Sequence, residues 1–232
     1  MATARIVELI DKDDTFELVR DELAAILVVE SANQEALASA ADKDPRLWKL
    51  DVFSETTNPW QAFIDAPQSQ KDVTPIINIW YDAWNTDRGR SNNVKRQQGP
   101  AIFNIDCYGY GVSSADETSA GHVLGDAKGA KEAQRALKLV RNILMHGAYT
   151  YLGFQGQDLV AGREVSAINT FQPNIEGREI EKVHGVRLAL SVSINELSPQ
   201  VVPTTLDLIS ILVKRQSDGK VILEADFAAT PP

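Results

Sequence analysis

The sequence predicts an α+β fold: a mostly antiparallel β-sheet flanked on one face by two helices, with β-hairpin extensions. Three observations predict it. Apolar residues recur at helical spacing in two separate segments, 14–42 and 126–144. Between and after them, β-branched and aromatic runs come in pairs bounded by turn-forming residues. The run EKVHGVRLALSVSINEL alternates cleanly. Val186, Leu188, Leu190, Val192 and Ile194 fall on one side, with Arg187, Ala189, Ser191, Ser193 and Asn195 on the other. Such a strand belongs to an antiparallel sheet with helices on one side.

The first helix is read from DDTFELVRDELAAILVVESANQEALASAAD. Asp14 is placed as its N-cap with Glu17 three residues on, a capping-box pattern. Phe16, Val19, Leu23, Ile26, Leu27 and Glu30 follow helical spacing, and the helix is expected to fade near Asp42–Pro45. Residues 45–75 read as an irregular excursion, because Pro45, Pro59, Pro67 and Pro75 interrupt any long element. Trp48, Phe53, Trp60 and Phe63 make it too apolar for a free linker, so aromatic anchors pin it to the body or to a neighbouring subunit.

A hairpin follows, PIINIWYDAW against GPAIFNIDCYGYGVS, around the long polar loop NTDRGRSNNVKRQQ. That loop carries Arg88, Arg90, Lys95 and Arg96 against Asp87, a basic finger that is either a solvated tip or a contact for an acidic partner. After the second helix, YTYLGFQGQDLVAG leads to the strand pair EVSAINTFQP and EKVHGVRLALSVSINEL, turning at PNIEGRE. LDLISILVKRQSDGKVILEADF is a last hairpin, turning at Ser217-Asp218-Gly219, and the tail AATPP is expected to fray.

At 232 residues the chain is read as one domain, 1–232, with 44% hydrophobic and 24% charged residues. The net charge of −9 is concentrated at the start: residues 1–72 hold 15 acidic against 7 basic side chains, residues 73–232 hold 17 against 16. That asymmetry argues against sequence-independent nucleic-acid binding, which needs a broad basic surface. It suits either a solvated acidic surface or an acidic part facing a basic part of another copy. The longest apolar run, Leu23 to Val29, is seven residues, against roughly 20 for a bilayer span. The opening MATARIVELIDKDD predicts no signal peptide. The single Cys107 excludes an internal disulfide framework and fits a reducing compartment.

The stretch GHVLGDAKGAKEAQRALKLVRNILMHG carries the strongest candidate for chemistry, with Gly121, Gly125 and Gly129 at a spacing of four. A phosphate-binding P-loop needs Gly-Lys-Ser/Thr after its glycines, so that a lysine and a hydroxyl reach phosphate and magnesium. A dinucleotide fingerprint needs Gly-x-Gly-x-x-Gly directly after a strand. Neither is present. Asp126 reads instead as an N-cap, and Gly129 as a close-packing position. Ala130, Ala133, Leu137, Val140 and Leu144, widened by Ala136 and Ile143, form a core-facing stripe. Lys128, Lys131, Arg135, Lys138 and Arg141 occupy the other face, solvated or buried under an acidic neighbour. His122, His146 and His184 are scattered and without companion cysteines, so no zinc site is expected. Cys107 sits mid-strand without a nucleophile signature, and Ser113, Ser114, Asp116 and Glu117 have no positioned histidine. The expectation is no enzyme, no cofactor and no metal.

The ordered phrases GHVLGDAKGAKEAQRALKLVRNILM, YTYLG, VRLALSVSINELSPQ and LDLISILVKR resemble the tail-terminator or tail-completion (neck) proteins of long-tailed bacteriophages. The likeness covers roughly 15–215 as an order of elements and is specific at sequence level across 121–200. It implies a structural virion protein at the tail–neck junction, assembled in the host cytoplasm. Its copies would form a ring, typically of six, that caps the tail tube and faces the head connector, with the genome passing through the lumen and no membrane involved. A head-completion connector of the same particle is the alternative, and a nucleotide-binding enzyme a more remote one. The excursion at 45–75 is longer than a minimal member requires. Within the ring, Lys131, Arg135 and Lys138 are expected to face Asp21 and Glu22 of a neighbour. The finger carrying Arg88, Arg90, Lys95 and Arg96 is expected to contact the tube or the connector.

Overall fold

In the computed structural model, helix α1 spans Thr15–Ala40 and starts where the sequence places its cap. Asp14 is extended, and its carboxylate accepts from the Phe16 N–H at 3.1 Å. Val19, Leu23, Ile26, Leu27, Ser31 and Ala38 face inward, and Asp42, with φ 54°, turns the chain out of the helix. The structure describes residues 14–61, 74–86, 96–111, 114–115, 122–123, 125–155, 159–173, 183–197, 208–214 and 221–228. They fall into two compact units, Met1–Leu197 and Ser198–Pro232.

The segment after α1 is more regular than expected. A 3-10 turn over Pro45–Trp48 leads into strand β1, Asp51–Ser54, which pairs in parallel with β2, Ile76–Trp84. Four residues are too few for alternation to show, so pairing with β2 makes this strand where local pattern could not. Ser31 of α1 holds the turn in place: its hydroxyl donates to Trp48 O and accepts from Leu50 N, both at 3.0 Å. Among the described residues of the excursion, Phe53 lies in β1 itself and Trp60 packs on the sheet, 5.5 Å from the Tyr108 ring. Phe63 and Pro67 lie outside the described residues.

The sheet continues antiparallel through β3 (Arg96–Tyr110), β7 (Val183–Leu197) and β6 (Val160–Phe171), in the order β1-β2-β3-β7-β6. Between β3 and helix α2 (Gly125–Leu144) lies a small ladder of β4 (Ser114–Ala115) and β5 (His122–Val123). β3 starts at Arg96, three residues before the expected Gly99. Arg96 therefore lies on a strand opposite Leu197, not in the loop. β3 and β7 pair over their whole length, from Arg96↔Leu197 to Tyr110↔Val183.

That register gives the sheet two different faces. Ile77, Ile79, Ala101, Phe103, Ile105, Cys107, Leu188, Leu190, Val192 and Ile194 pack beneath the helices as the core. Each large aliphatic side chain so buried contributes about 1.5–3 kcal/mol. α1 rests on β1 and β2 and on the flank of α2, which lies over β3 and β7. The fold is thus α+β with both helices on one side, as the alternation of β7 implied. Tyr149, in a second 3-10 turn (Gly147–Tyr149), donates to Glu30 of α1 at 2.5 Å and ties the end of α2 to α1.

α2 begins at Gly125, not after Asp126. Asp126 lies in the first turn, and its carboxylate accepts from Ala127 N at 2.6 Å. The glycines around it serve packing. A methyl group on Gly109 of β3 would collide with Gly129 O and Ala133 N, and one on Gly111 with Gly125 O and Gly129 N. Helix and strand backbones touch here, and only residues without a side chain allow it.

In the second unit β8 (Leu208–Lys214) pairs antiparallel with β9 (Val221–Ala228), from Leu208↔Ala228 to Lys214↔Val221. This is the expected last hairpin. Its turn, and the tail after Ala228, lie outside the described residues.

Candidate functional site

The face of the sheet turned away from the helices carries the most organised polar cluster. Even-numbered residues of β3 point there, so the β3–β7 register sets Asp106 opposite Arg187. Asp106 is buried, and Arg187 grips it in a two-pronged pair, Nε to Oδ1 at 2.7 Å and Nη2 to Oδ2 at 2.9 Å. Trp80 Nε1 donates to the same carboxylate at 3.0 Å and the Tyr108 hydroxyl at 3.3 Å. The guanidinium lies between two rings, 4.6 Å from Trp80 and 5.1 Å from Phe171. Cation–π contacts of this kind add to the pair because the ring faces are negative. The excursion closes over one side: Asn78 of β2 donates to Thr56 O at 2.9 Å and accepts from Thr56 N at 3.1 Å.

A hollow of about 360 Å³ remains, walled by Trp60, Trp80, Tyr108, Phe171 and Pro173, with Arg187 in its floor. Its chemistry is restrained. Asp106 accepts from four donors, three at Oδ2 and one at Oδ1. The hydrogen bond to Asp106 holds the Arg187 guanidinium above its ordinary value, so it stays charged. Burial, then the Asp106 charge, pushes the Tyr108 phenol well above its ordinary range and keeps it protonated. The cluster locks the sheet face and offers a fixed cation edge, without a base beside a nucleophile. Sequence reasoning placed Arg187 on the polar face but missed its partner; an Asp inside the apolar run IFNIDCYG was the signal.

The residues singled out in the sequence are distributed as follows. Lys131, Arg135 and Lys138 are exposed on the outer face of α2, where Arg135 Nη1 already meets Glu132 Oε1 at 2.6 Å. Asp21 is exposed on α1 and paired with Arg20 at 2.8 Å, while Glu22 is half-buried against Gly153. Arg88, Arg90, Lys95 and Gly121 lie outside the described residues; Arg96 is in β3. Cys107 is fully buried in the core, and burial pushes its thiol well above the ordinary value. His122 is in β5, and His146 caps the turn after α2 by accepting from Ala148 N at 3.2 Å. His184 borders a smaller hollow of about 280 Å³ between α2 and the β6–β7 edge. Among the described residues no group of three or more His, Cys, Asp or Glu is placed to hold a metal ion, and no helix is long and apolar enough to cross a membrane. Neither a protein-family model nor a curated protein matches this chain.

Proposed function

We propose that this chain is a structural protein of a bacteriophage virion. Six copies close into a ring that caps the tail tube and joins it to the head connector. One observation carries the reading: the two helices on one sheet face present outer surfaces of opposite charge. α1 holds Glu17, Asp21, Glu22 and Glu35 against Arg20 alone, with Glu30 turned in to Tyr149, whereas α2 holds Lys128, Lys131, Arg135, Lys138 and Arg141 against Asp126 and Glu132. A ring needs a heterologous interface, in which two different faces of each subunit meet. Two faces of opposite sign supply one. The resemblance across 121–200 points the same way, and the locked polar cluster fits a structural role.

In this reading Lys131, Arg135 and Lys138 of one copy meet Asp21 and Glu22 of the next. Arg135 and Asp21 exchange their intrachain partners, Glu132 and Arg20, for partners across the interface. Exposed pairs contribute only about 0–1 kcal/mol each, so the charges set register and association rate rather than the bulk of the affinity. The finger with Arg88, Arg90 and Lys95 reaches the tube or the connector, rising from the start of β3 at Arg96.

Negative-stain imaging of isolated tails carrying a tagged copy of the chain tests the assignment. The tag is expected at the head-proximal tail tip. A tag that stays on heads assigns the chain to head completion instead, and a tag on neither refutes a place in the neck. Deleting 87–95 is expected to leave soluble rings that no longer join tails to heads.

A further inference from the structure

The helical layer stops short of the sheet edge. α1 and α2 cover β1, β2, β3 and β7, but β6 is the edge strand beyond them. On the helix side β6 presents Arg163, Val165, Ile168 and Thr170, set by register opposite Val192, Leu190, Leu188 and Val186 of the core. Ile168 is 41% exposed there. The flank of α2 walls this shelf. Ala130 and Gln134 line its hollow with Thr170, and helical spacing carries the flank on through Lys138, Arg141 and Met145, which is 40% exposed. Arg163 closes the far end by donating to Leu144 O and His146 O.

α1 has the opposite surplus. Its core face is complete, yet Leu18 is 47% exposed and Val29 62%. At 100° per residue, Leu18, Ala25, Val29 and Ala36 fall within roughly 20° of one line along the outer side of the helix. Asp21 and Glu22 border that line on its two sides. An apolar line on an exposed helix, interrupted only beside Asp21 and Glu22, marks a contact surface rather than scattered surface residues.

We infer that the outer stripe of α1 docks on the β6 shelf of a second copy, as a third helix beside that copy's α2. Shape, apolarity and charge each favour this occupant. The 26 residues of α1 span about 39 Å, and the 12 residues of β6 span about 40 Å. Leu18, Ala25 and Val29 cover Val165 and Ile168, while the acidic borders of α1 lie along Lys138 and Arg141. Pairing α1 with α1 of another copy would set Asp21 and Glu22 against their own kind, so the charges select the shelf. The stripe and the shelf are different surfaces, so each docked copy leaves one of each open for the next. This inference deepens the ring reading and rests on it for closure alone.

Val29→Glu and Ile168→Glu test it in the full chain, with mass read by light scattering and folding by far-ultraviolet circular dichroism. Both side chains are exposed, so the fold is expected to survive. Each variant alone is expected to lose the wild-type oligomer. Mixed in equal amounts they are expected to form a pair of one copy each and nothing larger, because each retains the surface the other lacks. Either variant keeping the wild-type mass overturns the docking and leaves the ring reading standing on other surfaces. A mixture that stays monomeric also overturns it, since complementation follows only from two different surfaces. A wild-type chain that is monomeric at every concentration overturns both.

Discussion

Arg187→Met removes the guanidinium but leaves a straight apolar stem between Trp80 and Phe171. Asp106 then stays 2% exposed with two of its four donors gone. Breaking a buried pair by deleting one partner costs about 3–5 kcal/mol, mostly because the remaining charge is buried without compensation. The Arg187 side chain is 33% exposed, so water screens part of the interaction and the lower figure applies, about 3 kcal/mol. Asp106→Asn in the same chain removes the stranded charge while keeping an acceptor for Trp80 Nε1, and should return about 1–2 kcal/mol. Urea unfolding at fixed protein concentration, followed by tryptophan fluorescence, measures both, with an unchanged slope as the sign that only stability has moved. A loss below about 1 kcal/mol, the range of exposed ion pairs, would refute the buried-pair reasoning. So would a double variant no better than the single, because coupled partners must be non-additive.

Other outcomes follow from single contacts. Gly109→Ala drives a methyl group into Gly129 O and Ala133 N; backbone cannot swing aside, so a loss of about 1–3 kcal/mol is expected by urea midpoint, and a neutral result would mean α2 slides freely on β3. Ser31→Ala strands Leu50 N and Trp48 O and should cost about 1–3 kcal/mol, with β1 amides losing hydrogen-exchange protection first. The Tyr149 phenol is pushed up from 10.0 to about 12, chiefly by its hydrogen bond to Glu30. A raised folded value favours the protonated form, so this stabilisation is complete below pH 10.0 and disappears as pH rises through about 12. The same bond, then one from Asn33, lowers the Glu30 carboxyl, whose contribution is lost as pH falls through its folded value. Tyr149→Phe should therefore lose stability at neutral pH and fall less steeply than the parent at both extremes; parallel pH profiles would contradict that. Reversing Lys131, Arg135 and Lys138 to Glu should slow assembly and reverse its salt dependence, and reversing Asp21 and Glu22 to Lys in the same chain should restore both. Assembly indifferent to both would remove the charge argument.

What the sequence disclosed depended on the range of the interaction. Of the stripe, Ala133, Leu137, Val140 and Leu144 are buried in α2 as its spacing implied, and Ala136 and Ile143 widen it as read, but Ala130 is half-buried and borders the smaller hollow instead. β7 buries its alternating Val186 to Ile194 set in the same way. Both patterns are written in consecutive residues. β1 was missed because four residues hold no period, and only its pairing with β2 makes it a strand. The Asp106–Arg187 pair joins residues 81 apart, and nothing local fixes a register over that distance. Gly109 and Gly111 are ordinary within the run GPAIFNIDCYGYGVS, because what requires them is the backbone of α2, distant in sequence. The run LAAILVV hid the outer stripe of α1. When both sides of a helix are apolar the moment cancels, and one side reads as core while the other is overlooked.

The central claim is that the chain closes on itself through two different faces of each copy. Native mass measurement of the full chain tests it most directly. A species of six times the 25.5 kDa chain mass, resistant to dilution and assembling more slowly as salt rises, is the predicted result. A monomer, or an open-ended series of masses without a closed member, would contradict it.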